Sequence, residues 1–418
     1  MNKCFKSADI LLPNFDNTDA KKWAVVACDQ FTSEPHYWEN ADREVGDSPS
    51  TLRIILPEVY LNETNSRIPV INQTMKEYAE DILVSHPDSM IYVERQQSDG
   101  TVRRGVVLAV DLEAYDFKKG ADSLIRATEA TVIERIPPRV AIRKEAPIEL
   151  PHVMLLIDDP DKTVIEPLIG TNGKMAYDTD LMLGGGHLSG RFLSDSEKLS
   201  VTDALVALTT PEAMEKRYGS ADLAPLLFAV GDGNHSLATA KTIYESIKDT
   251  LGTEAASKHP ARYALVEIVN LHDEAMNFEP IYRVLFGIDP EDVIKSLKEY
   301  LDSLTGNAKS QSIECVTLGG STVLKALSPE KTLPVATLQD FIDGYIRSHA
   351  HAEVDYIHGE ASVKSLIRED SIGFLFSGMG KDELFKTVIY DGALPRKTFS
   401  MGHAEDKRYY MECRKITK

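Results

Sequence analysis

The stretch Leu223–Lys248 constrains the chain more than any other, because the hydrophobic period changes inside it. Leu226 to Val230 is an apolar run of buried-strand length, Gly231 and Gly233 punctuate it, and from Ser236 the period passes from two to about 3.6. A strand, a tight turn and a helix are predicted. Leu237, Ala240, Ile243, Tyr244 and Ile247 share one helical face, and Thr239, Thr242, Glu245 and Lys248 the other, so the helix packs on a sheet with one side wet. The turn places Asp232, Gly233, Asn234, His235 and Ser236 between a strand's carboxyl end and a helix's amino end. Unpaired N–H groups and the helix dipole favour an anion such as phosphate there, and glycine lets the backbone approach a ligand closely. An ordinary turn, with His235 a helix-start residue, explains the same letters.

Elsewhere, apolar runs and helical periods alternate as in an α/β protein with mixed sheets. Ala8–Leu12 and Trp23–Cys28 read as strands, and Pro35 starts a helix. Asp29 and Glu34 therefore stand at a strand-to-helix junction; such junctions line ligand crevices, although a local cap and a solvated carboxylate are the plainer reading. Ile68–Ser85 has helical spacing, and Met90–Arg95 with Val102–Leu112 forms a hairpin through Gly100. Ala121–Arg135 is predicted helical, with Pro137-Pro138 ending it. It carries Arg126, Thr128, Glu129, Thr131, Glu134 and Arg135, and Arg139, Arg143 and Lys144 follow. This basic segment is either a solvated face or a receiver of phosphate or carboxylate groups. Gly184–Arg191 is either a flexible hairpin or an anion-binding nest, in which Gly185 and Gly186 supply N–H groups and His187 and Arg191 supply charge. Arg283, inside the apolar run Phe278–Phe286, needs a partner if buried. Glu149-Leu150-Pro151 reads as a joint. Three segments are expected: 1–148, 149–286 with the D-G-N-H turn, and 287–418.

At 418 residues the chain can bury a core in each of two or three domains. Cys4, Cys28, Cys315 and Cys413 have no C-x-x-C spacing, which argues against a disulfide framework or a structural zinc site. With no apolar run near the roughly 20 residues of a membrane span, and no signal-peptide core at the amino terminus, a cytoplasmic protein is expected. A formal net charge of −19 opposes binding to phosphodiester backbones. The expected partners are a small-molecule substrate, without nucleic acid or membrane, with room for a homodimer.

The D-G-N-H-S-x-A-T-A element resembles the D-G-H-H-R-x-x-A element of the bacterial and archaeal family known as domain of unknown function 1015. The resemblance continues in W-A-V-V-A-C-D-Q-F-T-S-E-P-x-Y-W (Trp23–Trp38), P-S-T-L-R-I-I-L-P-E-V-Y-L (Pro49–Leu61), G-G-G-H-L-S-G-R (Gly184–Arg191) and K-T-F-S-M-G-H-A-E-D-K-R-Y-Y-M-E (Lys397–Glu412), so it covers nearly the whole chain. The D-G-x-H-x core is also similar to the nucleotide-gripping motif of the sulfiredoxin and ParB-like superfamily, which includes archaeal free-serine kinases. Asn234 and Ser236 stand where the commoner pattern has His and Arg, which removes a phosphate ligand.

That resemblance implies a ParB/sulfiredoxin-like nucleotide-binding core and a kinase-like enzyme using ATP or a related nucleotide with Mg to phosphorylate a hydroxyl such as that of serine. Asp232, His235, Asp29 and Glu34 are the catalytic candidates. Gly185, Gly186, His187, Arg191, Gly233, Asn234, Ser236, Arg126, Thr128, Arg143 and Arg283 are the cofactor-binding candidates, and no residue is assigned to a resident metal site. Two alternatives stay open: a metal-dependent hydrolase built on Asp232, His235 and His187, and a non-catalytic nucleotide- or small-molecule-binding protein.

Overall fold

The structure is a computed structural model and describes residues 3–118, 120–129 and 136–418. It is a mixed α/β protein in two compact units, one of Met1–Ala127, Thr131–Met276 and Gly402–Lys418, the other of Thr128–Ala130 and Asn277–Met401. The first unit runs through 148/149 and also takes the last seventeen residues of the chain. Among the described residues no helix is long and apolar enough to cross a membrane.

The first unit is built on a ten-stranded sheet. Its strand order is Met175–Asp180, His187–Phe192, Ile91–Gln96, Val102–Asp111, Tyr263–Asn270, Met154–Ile157, Phe228–Asp232, Ile125–Ala127 and Tyr115–Asp116, with Phe5–Lys6 also paired to Val102–Asp111. Its central strands are apolar on both faces because both faces are covered. Along Val102–Asp111 the side chains alternate: Val106, Leu108 and Val110 enter one core, and Val107 and Ala109 the other. The Asn234–Leu251 helix buries Leu237, Ala240 and Tyr244 in the first of these cores, as its apolar stripe requires.

Phe228–Asp232 runs antiparallel to Met154–Ile157, with Asp232 opposite Met154. That register sets the site. It brings the carboxyl end of one strand beside His152 and Val153, at the amino end of its neighbour.

The second unit holds an antiparallel sheet in the order Gly320–Ala326, Gln311–Thr317, Ser371–Phe376, Phe278–Phe286 and Glu353–His358, with Phe399–Met401 paired to the start of Phe278–Phe286.

Three elements depart from the sequence expectation. Trp23–Cys28 is not a strand: Ala20–Trp23 is a helical turn, and Val26 makes an isolated bridge to Arg408. The helix expected to Ser85 ends by Ile82, and Leu83–Ser89 pairs with Ala8–Pro13 as a strand. Arg126 lies on the strand Ile125–Ala127, not on a helix, while Pro137 and Pro138 fall in the first turn of the helix Ile136–Arg143 instead of ending one. Proline is tolerated there because first-turn N–H groups have no intrahelical acceptor. Thr131, Glu134 and Arg135 lie outside the described residues.

Candidate functional site

Gly233 joins strand to helix in the left-handed region, at φ 79° and ψ 25°. A Cβ there would stand 3.0 Å from both Cα and Cγ2 of Val153, so the turn needs glycine for conformation and for space. The helix that follows has no side-chain cap, which leaves its first N–H groups for another acceptor. Asp232 Oδ1 accepts from Gly233 N–H at 2.8 Å, and Oδ2 faces Lys407 Nζ at 3.9 Å. The Asn234 Oδ1 atom is buried and has no hydrogen-bond partner. His235 is half-buried on the first helical turn, and Ser236 Oγ lies 3.3 Å from His152 Nε2.

Asp29 faces the same group of residues. Burial works to raise its pKa, but the charges of His152, Lys407 and Arg139 and the Gln30 amide, which donates to Oδ1 at 3.0 Å, outweigh it and hold the carboxyl below its ordinary value. Lys407 thus acts on both aspartates. Two residues after Asp29 the backbone turns at Phe31 with φ 49°, a left-handed conformation for a bulky residue. The turn is fixed by Phe31 stacking on Tyr37 at 3.9 Å and by Trp38 Nε1 donating to the Phe31 carbonyl at 3.3 Å. Glu34 lies just beyond as the exposed residue before the Pro35–Val45 helix and makes no side-chain cap bond.

A cleft of about 120 Å³ opens beside this group, on the side of His152 and Ser236; Cys28, Arg139, Arg143 and Tyr409 border it together with apolar side chains such as Ile54, Leu56 and Met75, and neither Asp29 nor Asp232 lines it. That is room for a phosphate-sized group with its water. Arg139 pairs with Glu58, and Arg143 Nη2 donates to Glu149 Oε2 at 2.5 Å. Burial pushes the Cys28 thiol up to about 12, so it is neutral and is no nucleophile near pH 7.

The remaining first-unit candidates do not line this cleft. Both ring nitrogens of His187 are engaged, Nδ1 with Asp180 at 2.8 Å and Nε2 with Asp178 at 2.7 Å, and hydrogen bonding to these carboxylates raises its pKa. Arg191 is committed to Glu197 at 3.1 Å and to the Leu168 carbonyl at 2.9 Å. Gly185 and Gly186 have a packing reason: a Cβ would collide with the Arg408 guanidinium at 2.2 Å in the first case and with the Gln96 carbonyl oxygen at 2.0 Å in the second. Arg126 is buried, and its guanidinium donates to the carbonyls of Ser123, Ala224 and Pro225 at 2.8, 2.9 and 3.2 Å. Thr128 and Arg283 belong to the second unit. There Arg283 is fully buried, with Nε donating to Gln339 Oε1 at 3.0 Å and Nη1 to the Lys397 carbonyl at 2.9 Å; burial lowers its pKa to about 10.

Sequence reasoning missed His152, Lys407 and Tyr409 as members of the group. The family-like segment Lys397–Glu412 contains the last two, but nothing in its spacing tells that Lys407 reaches Asp232. His152 follows a proline in what reads as a joint.

The family model described as Protein of unknown function (DUF1015) matches residues 13–349, most of the chain. The chain belongs to this family. A search of curated proteins finds no match. Among solved structures, a conserved hypothetical protein from Pyrococcus furiosus is similar at TM-score 0.34 and 12% identity, over 71% of this chain and 90% of that one. A free serine kinase variant in complex with AMP is similar at TM-score 0.35 and 10% identity, over 71% and 87%. SbnI from Staphylococcus aureus, truncated at its C-terminus, is similar at TM-score 0.34 and 9% identity, over 71% and 82%.

Proposed function

We propose that this DUF1015 protein is a nucleotide-dependent small-molecule kinase-type enzyme whose centre is the group formed by Asp29, Asp232 and Lys407, beside the His152–Ser236 cleft. The supporting observation is the meeting of two carboxylates, the Lys407 ammonium and an uncapped helix start at one strand end. Phosphoryl transfer requires this combination: a cradle for phosphate, cations against developing charge, and a group to take the hydroxyl proton.

In this reading the first N–H groups of the Asn234–Leu251 helix and the Ser236 hydroxyl hold the phosphate. Asp232, half-buried and lightly bonded, accepts the proton of the acceptor hydroxyl. Lys407 orients Asp232 and balances charge, and the unpartnered Asn234 Oδ1 receives a donor from the acceptor molecule. His235, on the same turn, assists binding, and Glu34 lies at the rim. Magnesium is bound by one or two carboxylates together with substrate phosphates, and Asp29, held ionised, fits that role. When bound, magnesium neutralises charge on the phosphate oxygens. Among the described residues no three His, Cys, Asp or Glu side chains form a cluster able to hold a metal by protein ligands alone. The hydrolase alternative is less well supported, since both ring nitrogens of His187 are engaged by Asp178 and Asp180.

The test is calorimetric titration of ATP and ADP, with and without magnesium, against the wild type and Ser236→Val. Saturable nucleotide binding, weakened about tenfold in the variant by loss of a hydroxyl donor, supports the reading. Absence of nucleotide binding to the folded wild type at millimolar concentration rejects it.

A further inference from the structure

A second and larger cavity lies in the same unit, bounded by Phe5–Lys6, Ala8–Pro13, Leu83–Ser89, the 257–263 segment and the C-terminal residues 414–417. Its volume is about 590 Å³, within the range of small-molecule sites. In a chain of net charge −19, its lining carries Lys6, Lys258, Arg414 and Lys415 with His259, against the single carboxylate of Asp9. Asp9 is already engaged, accepting from the Asp88 N–H at 3.0 Å.

Two features make this a built wall. Arg414 is buried, its Nε donating to Glu149 Oε1 at 2.7 Å and its Nη1 to the Pro260 carbonyl at 3.0 Å, so its charge is fixed in place. Lys6 Nζ stands 3.7 Å from the centre of the Tyr263 ring. Burial and then the charge of Arg414 lower the Lys6 pKa, with Arg262 adding to them and Asp9 and Asp111 opposing; burial and Lys418 lower that of His259. Lys6 and Arg414 repel one another, with Glu149 partnering Arg414 and Glu254 standing 3.4 Å from Lys258 Nζ, and an anion near Lys6 would relieve that repulsion. Leu11, Leu83 and Ala109 supply an apolar floor, which suits a ligand with a carbon body as well as a charged head.

We propose that this basic cavity is a binding site for a multivalent small-molecule anion, separate from the His152–Ser236 cleft and sharing no lining residue with it. Two chemistries carry such charge, a phosphorylated compound and a polycarboxylate, and the experiment separates them. Inorganic pyrophosphate and citrate are titrated calorimetrically into the wild type and into Lys6→Ala/Lys415→Ala, whose two side chains are both exposed and whose fold is checked by circular dichroism. At least one anion is expected to bind the wild type and to lose one equivalent, or tenfold or more in affinity, in the double variant. A response to pyrophosphate alone assigns a phosphorylated ligand; a response to citrate alone assigns a polycarboxylate.

Lys258→Ala removes another exposed ammonium and is expected to weaken binding about threefold, which keeps the test open if the double variant does not fold. Pyrophosphate held in the other cleft survives in these variants and is displaced by ADP, so failure of the kinase reading does not alter the difference between wild type and variant. Unchanged affinity and stoichiometry for both anions in the folded variants, or no binding of either by the wild type at millimolar concentration, would overturn the proposal.

Discussion

Asp232 and Asp158 close neighbouring antiparallel strands of the large sheet, at opposite ends, and they are used in opposite ways. Asp158 is buried and saturated: His272 Nε2 lies 2.7 Å from Oδ1, Tyr218 Oη donates to Oδ2 at 2.6 Å, and Arg217 stands at 3.6 Å. Burial works to raise its pKa, but His272, Tyr218 and Arg217 prevail and hold it low. Asp232 is half-buried, bonded to its neighbour's N–H, and 3.9 Å from a lysine. A carboxylate whose partners are all fixed can only stabilise. One with a single backbone bond and a loosely held cation can exchange partners during a reaction at little cost to the fold.

The sharpest way to break that contrast is to neutralise Asp232. Asp232→Asn is expected to lower phosphoryl transfer about 10³-fold, as for loss of a proton acceptor, while the melting temperature stays within about 2 °C of wild type. ADP release and a thermal melt together check this; a large drop in melting temperature would place Asp232 with Asp158 as a structural residue.

Next in size is Asp158→Ala, expected to cost about 3 kcal/mol in urea unfolding, because it removes the carboxylate that His272 and Tyr218 bond and the charge that faces Arg217. The sign with pH follows from the lowered pKa: the Asp158 contribution is present above the unfolded value near 4 and is lost as pH falls through the folded value. The stability difference between wild type and variant should therefore shrink in acid. A difference that stayed constant from pH 7 to pH 3 would show that packing, not charge, is what Asp158 supplies.

A third carboxylate extends the comparison. Glu412 is buried, accepts from Tyr177 Oη at 2.7 Å, and is pushed up to about 7 by burial, with the charge of Glu267 adding to it and Arg95 opposing. Its folded pKa lies above the unfolded one, so its contribution is full below about pH 4.3 and is lost as pH rises to about 7. Glu412→Gln is expected to flatten that decline by about 2 kcal/mol between pH 5 and pH 8, as read from denaturant melts. An unchanged slope would assign the pH dependence to other groups. The smallest effect expected is that of Gly233→Ala, about 1 kcal/mol of destabilisation from the left-handed backbone and the contact with Val153, together with weaker phosphate binding measured by titration.

Local periodicity made much of the fold legible. The Phe228–Asp232 strand, the Asn234–Leu251 helix, the hairpin of Ile91–Gln96 with Val102–Asp111 and the strand Ser371–Phe376 follow from side-chain spacing and turn residues, which act within a few positions. The same reasoning failed at Trp23–Cys28, where an apolar run is buried as irregular chain, and at Pro137-Pro138, where prolines open a helix. At Trp23–Cys28 long-range packing outweighs local preference; at Pro137-Pro138 the prolines obey a local rule, that of a helix's first turn and not of its end.

The sequence by itself determined the turn at Gly231–Ser236, the acidic balance and the family-like segments, because each is a property of neighbouring residues or of composition. Only the tertiary structure decided which charges meet. Arg126, Arg191 and Arg283 look alike in sequence as candidate phosphate ligands, yet the fold commits each to carbonyls or a carboxylate of its own surroundings. Lys407, 175 positions from Asp232, is brought to it by strand register and by the return of the C-terminal segment along Val25–Ala27, where the Ala27 N–H donates to the Lys407 carbonyl at 2.7 Å. The physical reason is reach. A side chain acts over a few ångströms of space whatever its separation along the chain, so the partners of a charge are set by topology, whereas the period of a helix or strand is set by its own residues.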